Sequence, residues 1–412
     1  LNVVNAFLDE KEEAILALKQ LAEFSGPAFV PYLSTCFENI YKMLDHSSEE
    51  IRKSALVALA QFIVSLNQNN DDAGVRNGVA IFIPKAAEII KNDADCQVVM
   101  TALDSYGVLL KDLKHKVIFT EELKTTIFTC IQNVLTSKVS CQLYDNQGED
   151  DEQEESEYDE ALIQVAGDVL PKFGSALSPD EFSTYFRQIV PILVAKIEKS
   201  RNSDDQETQR SFAYGTLSEC FQPLQNRLGE WFETFLPGFL HGLQDEFSQV
   251  RHNCVYGLGE LVLHSGEVAY SKFPMVLSAL STAVSQEEHP GTLDNICGAL
   301  ARLIMANFKL IPLEQVLPVF IQNLPLREDF DENLTIFQSF TTLWTQQPES
   351  LLMVLEGVIM AGVHVLHKNQ YKGDETRNVI LNLLQDIRLR FGDRFSQVVN
   401  NDPAIASFVQ TW

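Results

Sequence analysis

Several things are scarce in this 412-residue sequence, and each scarcity closes off a class of function. There is no CxxC pair, no HExxH and no His-Cys cluster at metal-ligand spacing among its eight histidines and seven cysteines, so no metal centre is expected. No phosphate-loop pattern surrounds its glycines, and none of the Asp and Glu pairs stands out from the turns that hold them. Neither a catalytic residue nor a cofactor is therefore assigned, and the chain is not expected to be an enzyme. Apolar runs approaching 18 residues are missing, as is a signal peptide, so no membrane segment is expected. Positive charge is also short: 31 Lys and Arg stand against 57 Asp and Glu, a formal charge of −26. Such a chain repels a nucleic acid backbone and attracts cationic partners. The cysteines, Cys36, Cys96, Cys130, Cys141, Cys220, Cys254 and Cys297, are scattered mostly on apolar helix faces, where they read as reduced core residues of a cytosolic or nuclear protein.

What is abundant is repetition. In Gln249 to Leu261 the residues Val250, Cys254, Val255, Leu258 and Leu261 recur at three- and four-residue intervals, the signature of an amphipathic helix. A second apolar segment, Trp231 to Leu243, precedes it across the acidic turn Gln244, Asp245, Glu246. Two such helices cannot bury their apolar stripes alone, so the unit must stack on copies of itself. Asn295 to Leu303 repeats the register of Asn253 to Leu261; Arg52 and Leu59, then Arg210 and Leu217, take the places of Arg251 and Leu258. Prolines at 31, 84, 191, 237, 274 and 318 mark the upstream helices at separations of 37 to 53 residues, once doubled to 107. A two-helix period of roughly 40 to 47 residues predicts an all-α solenoid, a superhelix of tandem HEAT repeats, which escapes the size ceiling of a single core.

The expected organisation is one solenoid over residues 1–412, with about eight helix pairs and terminal half-units. Leu1 to Phe24 reads as the last helix of a truncated repeat. The absence of an initial Met there predicts that the chain is a fragment of something longer. Pairs follow at Phe29–Asp45 with Glu49–Leu66, and, after a polar connector Asn67–Gly78, at Val79–Ile90 with Cys96–Leu110. Glu121–Leu143 opens a third pair whose partner begins near Tyr158. Between them Asp145 to Glu160 holds ten acidic residues and no basic one, including Glu149, Asp150, Asp151, Glu152, Glu154, Glu155 and Glu157, and predicts a disordered acidic loop. It reads either as a solvated spacer or as a screen for basic cargo; without it the formal charge is still −16. Further pairs centre on Leu193 and Phe212, Phe235 and Leu258, Val276 and Leu300, and Val316 and Phe337. Leu351–Leu366 with Thr376–Phe391 makes the last, and Phe395 to Trp412 caps the end.

A binding surface is the better-supported function. Alignment on Arg251 sets Asn253, Asn295, Asn333 and Asn378 at nearly one height in four successive second helices. Such a row either hydrogen-bonds an extended peptide along a concave surface or braces neighbouring helices and loops. Carboxylates flank it: Asp294 precedes Asn295, Asp329, Asp331 and Glu332 precede Asn333, and Asp374 and Glu375 precede Asn378. These either receive lysines from a cationic peptide or cap helix N-termini. Trp344, one face further on, either stacks on a cation or belongs to the core.

The segments Phe7 to Leu33, EEIRKSALVALAQF, DNICGALARLI and NLPLREDFDENLTIF, with the acidic insertion inside a helix pair, resemble the importin-β (karyopherin-β) superfamily, most closely its importin-4 branch. The likeness covers the chain from Leu1 to about Trp412 and matches the C-terminal portion of such receptors. The resemblance implies nuclear import of lysine-rich cargo, with histone H3 and H4 as the characteristic cargo, a histone chaperone accompanying them, and ribosomal proteins as further cargo. It also implies nucleoporin contacts, shuttling between cytoplasm and nucleus, and cargo release when Ran-GTP engages repeats that lie mainly N-terminal to this stretch. Carried over by position, the family's lysine pocket falls on Asn295, Asp331 and Glu332, with Asp329 the alternative for the first carboxylate. Asp331-Glu332 stands where a Glu-Glu pair is expected, shortening one reach by a methylene. The competing reading is a HEAT scaffold, of the phosphatase-subunit kind, that assembles folded partners along its ridge turns.

Overall fold

The computed structural model describes residues 2–114, 119–143, 152–200 and 207–410; the side chains of residues 2–5, 152–157 and 200 are outside this description. Among the described residues every regular element is helical. The fold is a helical solenoid, and it separates into two compact units, Leu1–Ala195 and Lys196–Trp412.

In the first unit the helices run α1 (Asn2–Phe24), α2 (Val30–Tyr41), α3 (Glu49–Gln68), α4 (Asp72–Asn92), α5 (Cys96–Leu113), α6 (Glu121–Leu135), α7 (Glu152–Ser175) and α8 (Pro179–Ser200), the division falling within α8. The second unit continues with α9 (Glu207–Glu219), the short α10 (Phe221–Leu224), α11 (Phe232–Gly242), α12 (Ser248–Ser265), α13 (Phe273–Gln286), α14 (Pro290–Asn307), α15 (Leu313–Gln322) and α16 (Asn333–Gln346). It ends with α17 (Pro348–Leu352), α18 (Leu355–Lys368), α19 (Gly373–Arg390), α20 (Gly392–Val399) and α21 (Pro403–Val409).

The second helices of successive pairs stack on one another: α1, α3, α5 and α7 in the first unit, α9, α12, α14, α16 and α19 in the second. First helices lie against this stack and close the core from one side. The prolines expected in the first helices are there, at the opening turn of α2 and α13 and inside α4, α8, α11 and α15. An opening turn has no partner for the missing N–H, so it accepts proline without loss. Beside two of the interior prolines a second helix donates a buried hydroxyl: Tyr106 to the Ile83 carbonyl at 2.7 Å and Tyr214 to that of Gly238 at 3.0 Å. Fully buried phenylalanines such as Phe62, Phe82, Phe186, Phe239, Phe273 and Phe337 fill the space between layers.

Three boundaries differ from expectation. The polar connector after α3 ends at Asp71, whose side chain accepts the Gly74 N–H at 2.9 Å and starts α4 seven residues before Val79. The expected helix Glu121–Leu143 stops at Leu135, where Ser137 takes a left-handed φ of 51°, and a short turn at Ser140–Gln142 follows. Most of the acidic stretch falls on helix: residues 152–160 open α7, whereas 144–151 lie outside the described residues. The reason is propensity, because glutamate and glutamine are good helix formers and a charge run alone does not forbid a helix that continues into an apolar stripe.

The tyrosine bond gives a direct check on the packing of the two layers. Tyr106→Phe should lower unfolding free energy by about 1 kcal/mol, the net worth of one buried hydrogen bond, seen as a lower urea midpoint at unchanged slope. No shift would show that the bond to Ile83 contributes nothing.

Candidate functional site

The sequence-predicted residues converge where α14, the turn 325–332 and the head of α16 meet. Helix α14 is unusual: every residue from Asp294 to Ile304 is buried, so it has no solvent face, and its polar residues must be satisfied inside the protein. Asp294 does this with a single oxygen. Its Oδ2 accepts the backbone N–H groups of Arg327, Glu328 and Asp329 at 2.8, 2.7 and 3.0 Å, and Arg327 Nη1 stands 3.6 Å from the other oxygen. Three donors converging on one carboxylate fix the turn's backbone by charge-assisted bonds. Asn295 continues the brace, its Nδ2 donating to Asp329 Oδ2 at 3.0 Å and to the Gly291 carbonyl at 3.2 Å, beside the His252 ring. Burial lowers the pKa of His252.

About two turns further along α14, Arg302 lies buried between two carboxylates. Its Nε donates to Glu260 of α12, and its Nη1 to Glu332 at the head of α16, at 2.6 Å. The guanidinium also lies 4.9 Å from the Tyr256 ring centroid, and His264 Nε2 stands 3.1 Å from the second oxygen of Glu260. The two glutamates respond oppositely. Burial pushes the Glu332 carboxyl up, against the pull of Arg302. Glu260 is also penalised by burial, but His264 and Arg302 together hold it below the usual glutamate range. Glycine makes the room: a Cβ on Gly298 would stand 2.1 Å from Glu332 Oε2, and one on Gly259 would stand 3.0 Å from the Ala299 Cα.

These contacts correct several expectations. Asp294, Asn295, Glu332 and Asn333 are at most 5% exposed and bonded within the chain, so they do not line an open pocket. The asparagine row braces its own surroundings: Asn253 donates to the Ser211 carbonyl at 2.8 Å, Asn295 to Asp329, and Asn333 to the Gln370 carbonyl at 2.8 Å, while Asn378 is exposed. Trp344 belongs to the core, donating to Asp386, with the chain's own Arg390 5.2 Å from its ring centroid. Of the carboxylates flanking the row, Asp331, Asp374, Glu375 and, in part, Asp329 remain accessible, and Glu328 joins them; Asp331 meets Lys372 at 2.9 Å, both ends well exposed. Of the acidic stretch, Glu149, Asp150 and Asp151 lie outside the described residues. Glu152, Glu154, Glu155 and Glu157 occupy the start of α7, with side chains likewise outside.

Sequence reasoning missed the bracing arginines. Arg52 grips Asp93 at 2.8 and 3.0 Å, Arg210 grips Asp245 at 3.0 and 3.2 Å, and Arg251 grips Glu287 at 2.7 and 2.8 Å. Each reaches from a second helix to the acidic residue that ends the next first helix. The signal was available in the shared register of the three arginines, paired with an acid some 35 to 41 residues on.

With this arrangement in hand, comparison places the chain. A HEAT repeat family model matches residues 235–265, which hold most of α11 and α12. Importin-4 of Homo sapiens is 30% identical over 409 residues, 98% of this chain and 37% of that protein. The chain belongs to the importin-β family. Its fold matches crystal structures of Kap121p bound to RanGTP and bound to Nup53p, each at a TM-score of 0.77 over 99% of this chain and 37% of that one, with 14% and 15% identity. The chain thus spans less than half the length of the relatives it matches.

In this importin-β family chain the buried triad should behave as a unit. Arg302→Met strands two buried carboxylates and should cost about 3–5 kcal/mol of unfolding free energy. Adding Glu260→Leu and Glu332→Leu should recover much of that loss, a coupling read from a mutant cycle in urea. Simple additivity of the three would show that they do not interact. The pH dependence also has a sign. Glu332, with its pKa raised, should take up its proton first as pH falls, which favours the folded state. Glu260, with its pKa lowered, contributes stability above the ordinary glutamate value and loses it as pH falls through its folded value. Carboxyl carbon shifts of labelled glutamate should show that order.

Proposed function

We propose that this chain is the cargo-binding part of a nuclear import receptor and that it takes lysine-rich basic cargo, with the histone H3 and H4 tails as the expected class. The observation that carries the reading is the turn 325–332. It presents Glu328, Asp329 and Asp331 to solvent on a backbone held by the buried Asp294. A pre-formed acidic turn loses little entropy when a lysine ammonium arrives, and carboxylates are its natural partners. The chain's formal charge of −26 adds long-range attraction. In this reading Asp294, Asn295, Glu332 and Asn333 support the site from below, and Lys372 is the internal cation that cargo displaces from Asp331. Kap121p has been crystallised with RanGTP and with Nup53p, which supports Ran-GTP and nucleoporins as partners of the whole receptor and a life shared between cytoplasm and nucleus.

Calorimetric titration with a histone H3 tail peptide tests this. The native chain should bind, more weakly as salt rises, and acetylation of the peptide lysines should reduce affinity. Combined Glu328→Gln, Asp329→Asn and Asp331→Lys should weaken binding by about tenfold or more, because exposed ion pairs are each worth up to ~1 kcal/mol. Unchanged affinity would move the contact elsewhere, for instance to the acidic stretch 145–160. Absence of binding would favour a scaffold for folded partners.

A further inference from the structure

The sequence places all seven cysteines in the core, and the structure does not. Cys130, Cys220, Cys254 and Cys297 are buried, but Cys36, Cys96 and Cys141 are half-exposed, and two of these meet. Cys96 is the first residue of α5, and Cys141 sits in the turn Ser140–Gln142 that leads into the acidic stretch. The Cys96 thiol donates to the Cys141 carbonyl oxygen at 3.9 Å, which brings the two residues into direct contact, and each thiol shifts the titration of the other. They are 45 residues apart in sequence, so local chain geometry does not force the encounter.

The surroundings hold the pair in place. Ser140 Oγ donates to the Lys91 carbonyl at 2.9 Å, tying the turn to the end of α4, and Val139 is buried beneath it. Gln142 donates to the Val134 carbonyl at 3.2 Å and to Asp159 of α7. The two sulfurs are also unequal. The contact with Cys141 lowers the pKa of Cys96 although burial and the carboxylates of Asp159 and Asp95 oppose this, and Cys96 is the first residue of an 18-residue helix, an end that favours negative charge. Cys141 is shifted upward by the same contact and by burial. Cys36 and Cys130 are raised by burial, Cys130 to about 12.

We infer that Cys96 and Cys141 form an oxidant-sensitive pair, with Cys96 the attacking thiolate and Cys141 the resolving thiol, that closes to a reversible disulfide on exposure to a peroxide. In the first step the Cys96 sulfur attacks one peroxide oxygen. The O–O bond breaks, the departing oxygen leaves as water once protonated, and a sulfenic acid remains on Cys96. In the second the Cys141 sulfur attacks that sulfur; the S–O bond breaks, the S–S bond forms, and the hydroxide leaves as water with the Cys141 proton. Two thiols and one peroxide thus yield one disulfide and two waters. The cross-link staples the turn that precedes the acidic stretch to the head of α5, and a thiol reductant reverses it.

The test is hydrogen peroxide treatment of the native 412-residue chain, alkylation, and non-reducing peptide mass spectrometry. The expected product is a Cys96–Cys141 peptide pair lighter by two hydrogens, restored to free thiols by dithiothreitol and lost in Cys96→Ser and in Cys141→Ser. In the Cys141→Ser chain, Cys96 should instead be captured as a sulfenic acid by a 1,3-dione probe, and alkylation of the untreated chain should modify Cys96 faster than Cys36. Circular dichroism of both serine variants confirms that they are folded. Oxidation of Cys36 in preference to this pair, or the absence of the Cys96–Cys141 peptide from folded, peroxide-treated chain, overturns the proposal. Sulfenic acid captured on Cys141 in the Cys96→Ser chain at the same rate overturns the assignment of the attacking sulfur.

Discussion

One guanidinium, that of Arg302, joins three consecutive second helices, because from α14 it reaches Glu260 of α12 and Glu332 at the head of α16 in the buried space between them. A buried charge without partners is costly, so once Arg302 is enclosed its two acids must be where they are. That requirement passes outward. Glu332 sets the start of α16, its neighbour Asn333 ties α16 to the Gln370 carbonyl, and the residues just before it are pinned to Asp294. The accessible carboxylates of the turn are positioned by this chain of contacts.

The braces between repeats use two different chemistries. In three places an arginine on a second helix neutralises an acid at or just past the end of the next first helix, which offsets part of the negative charge of the ridge turn there. At α14 the polarity is reversed: the helix supplies the carboxylate of Asp294 and the turn answers mainly with backbone N–H groups, which carry no net charge. The turn's own acids are left to solvent and to Lys372. The acidic turn is therefore a local property of one brace, beyond the overall negative balance of the chain.

Much of this was legible in the residues and some of it was not. The repeat period, the proline-bearing first helices and the common height of Asn253, Asn295 and Asn333 follow from spacing alone, because packing enforces periodicity. Which way those asparagines point does not follow, because a row on a helix faces solvent only if the helix has a solvent face, and α14 has none. The composition of α14 contained the clue: Gly298, Ala299 and Ala301 around a single arginine is the pattern of a helix approached closely from several sides. Cys96 and Cys141 looked like core residues in one dimension, and their encounter is a product of the α4–α5 packing and the short turn that crosses it. The acidic stretch misled by composition, since residues 152–160 share a helix with the apolar stripe that follows them.

The glycine at 259 sets how this part of the solenoid answers mechanical load. Where larger side chains separate two helices, they slide by rotamer changes; where Gly259 lets the backbone of α12 approach α14, its neighbours are the Ala299 backbone and the stem of Arg302, which two carboxylates hold in place. The α12–α14 step is then a stiff joint, clamped further by the Arg302 bridge, and bending under strain must be taken up at steps spaced by longer side chains. Within this unit the deformation is then uneven, small across the α12–α14 step and larger on either side of it.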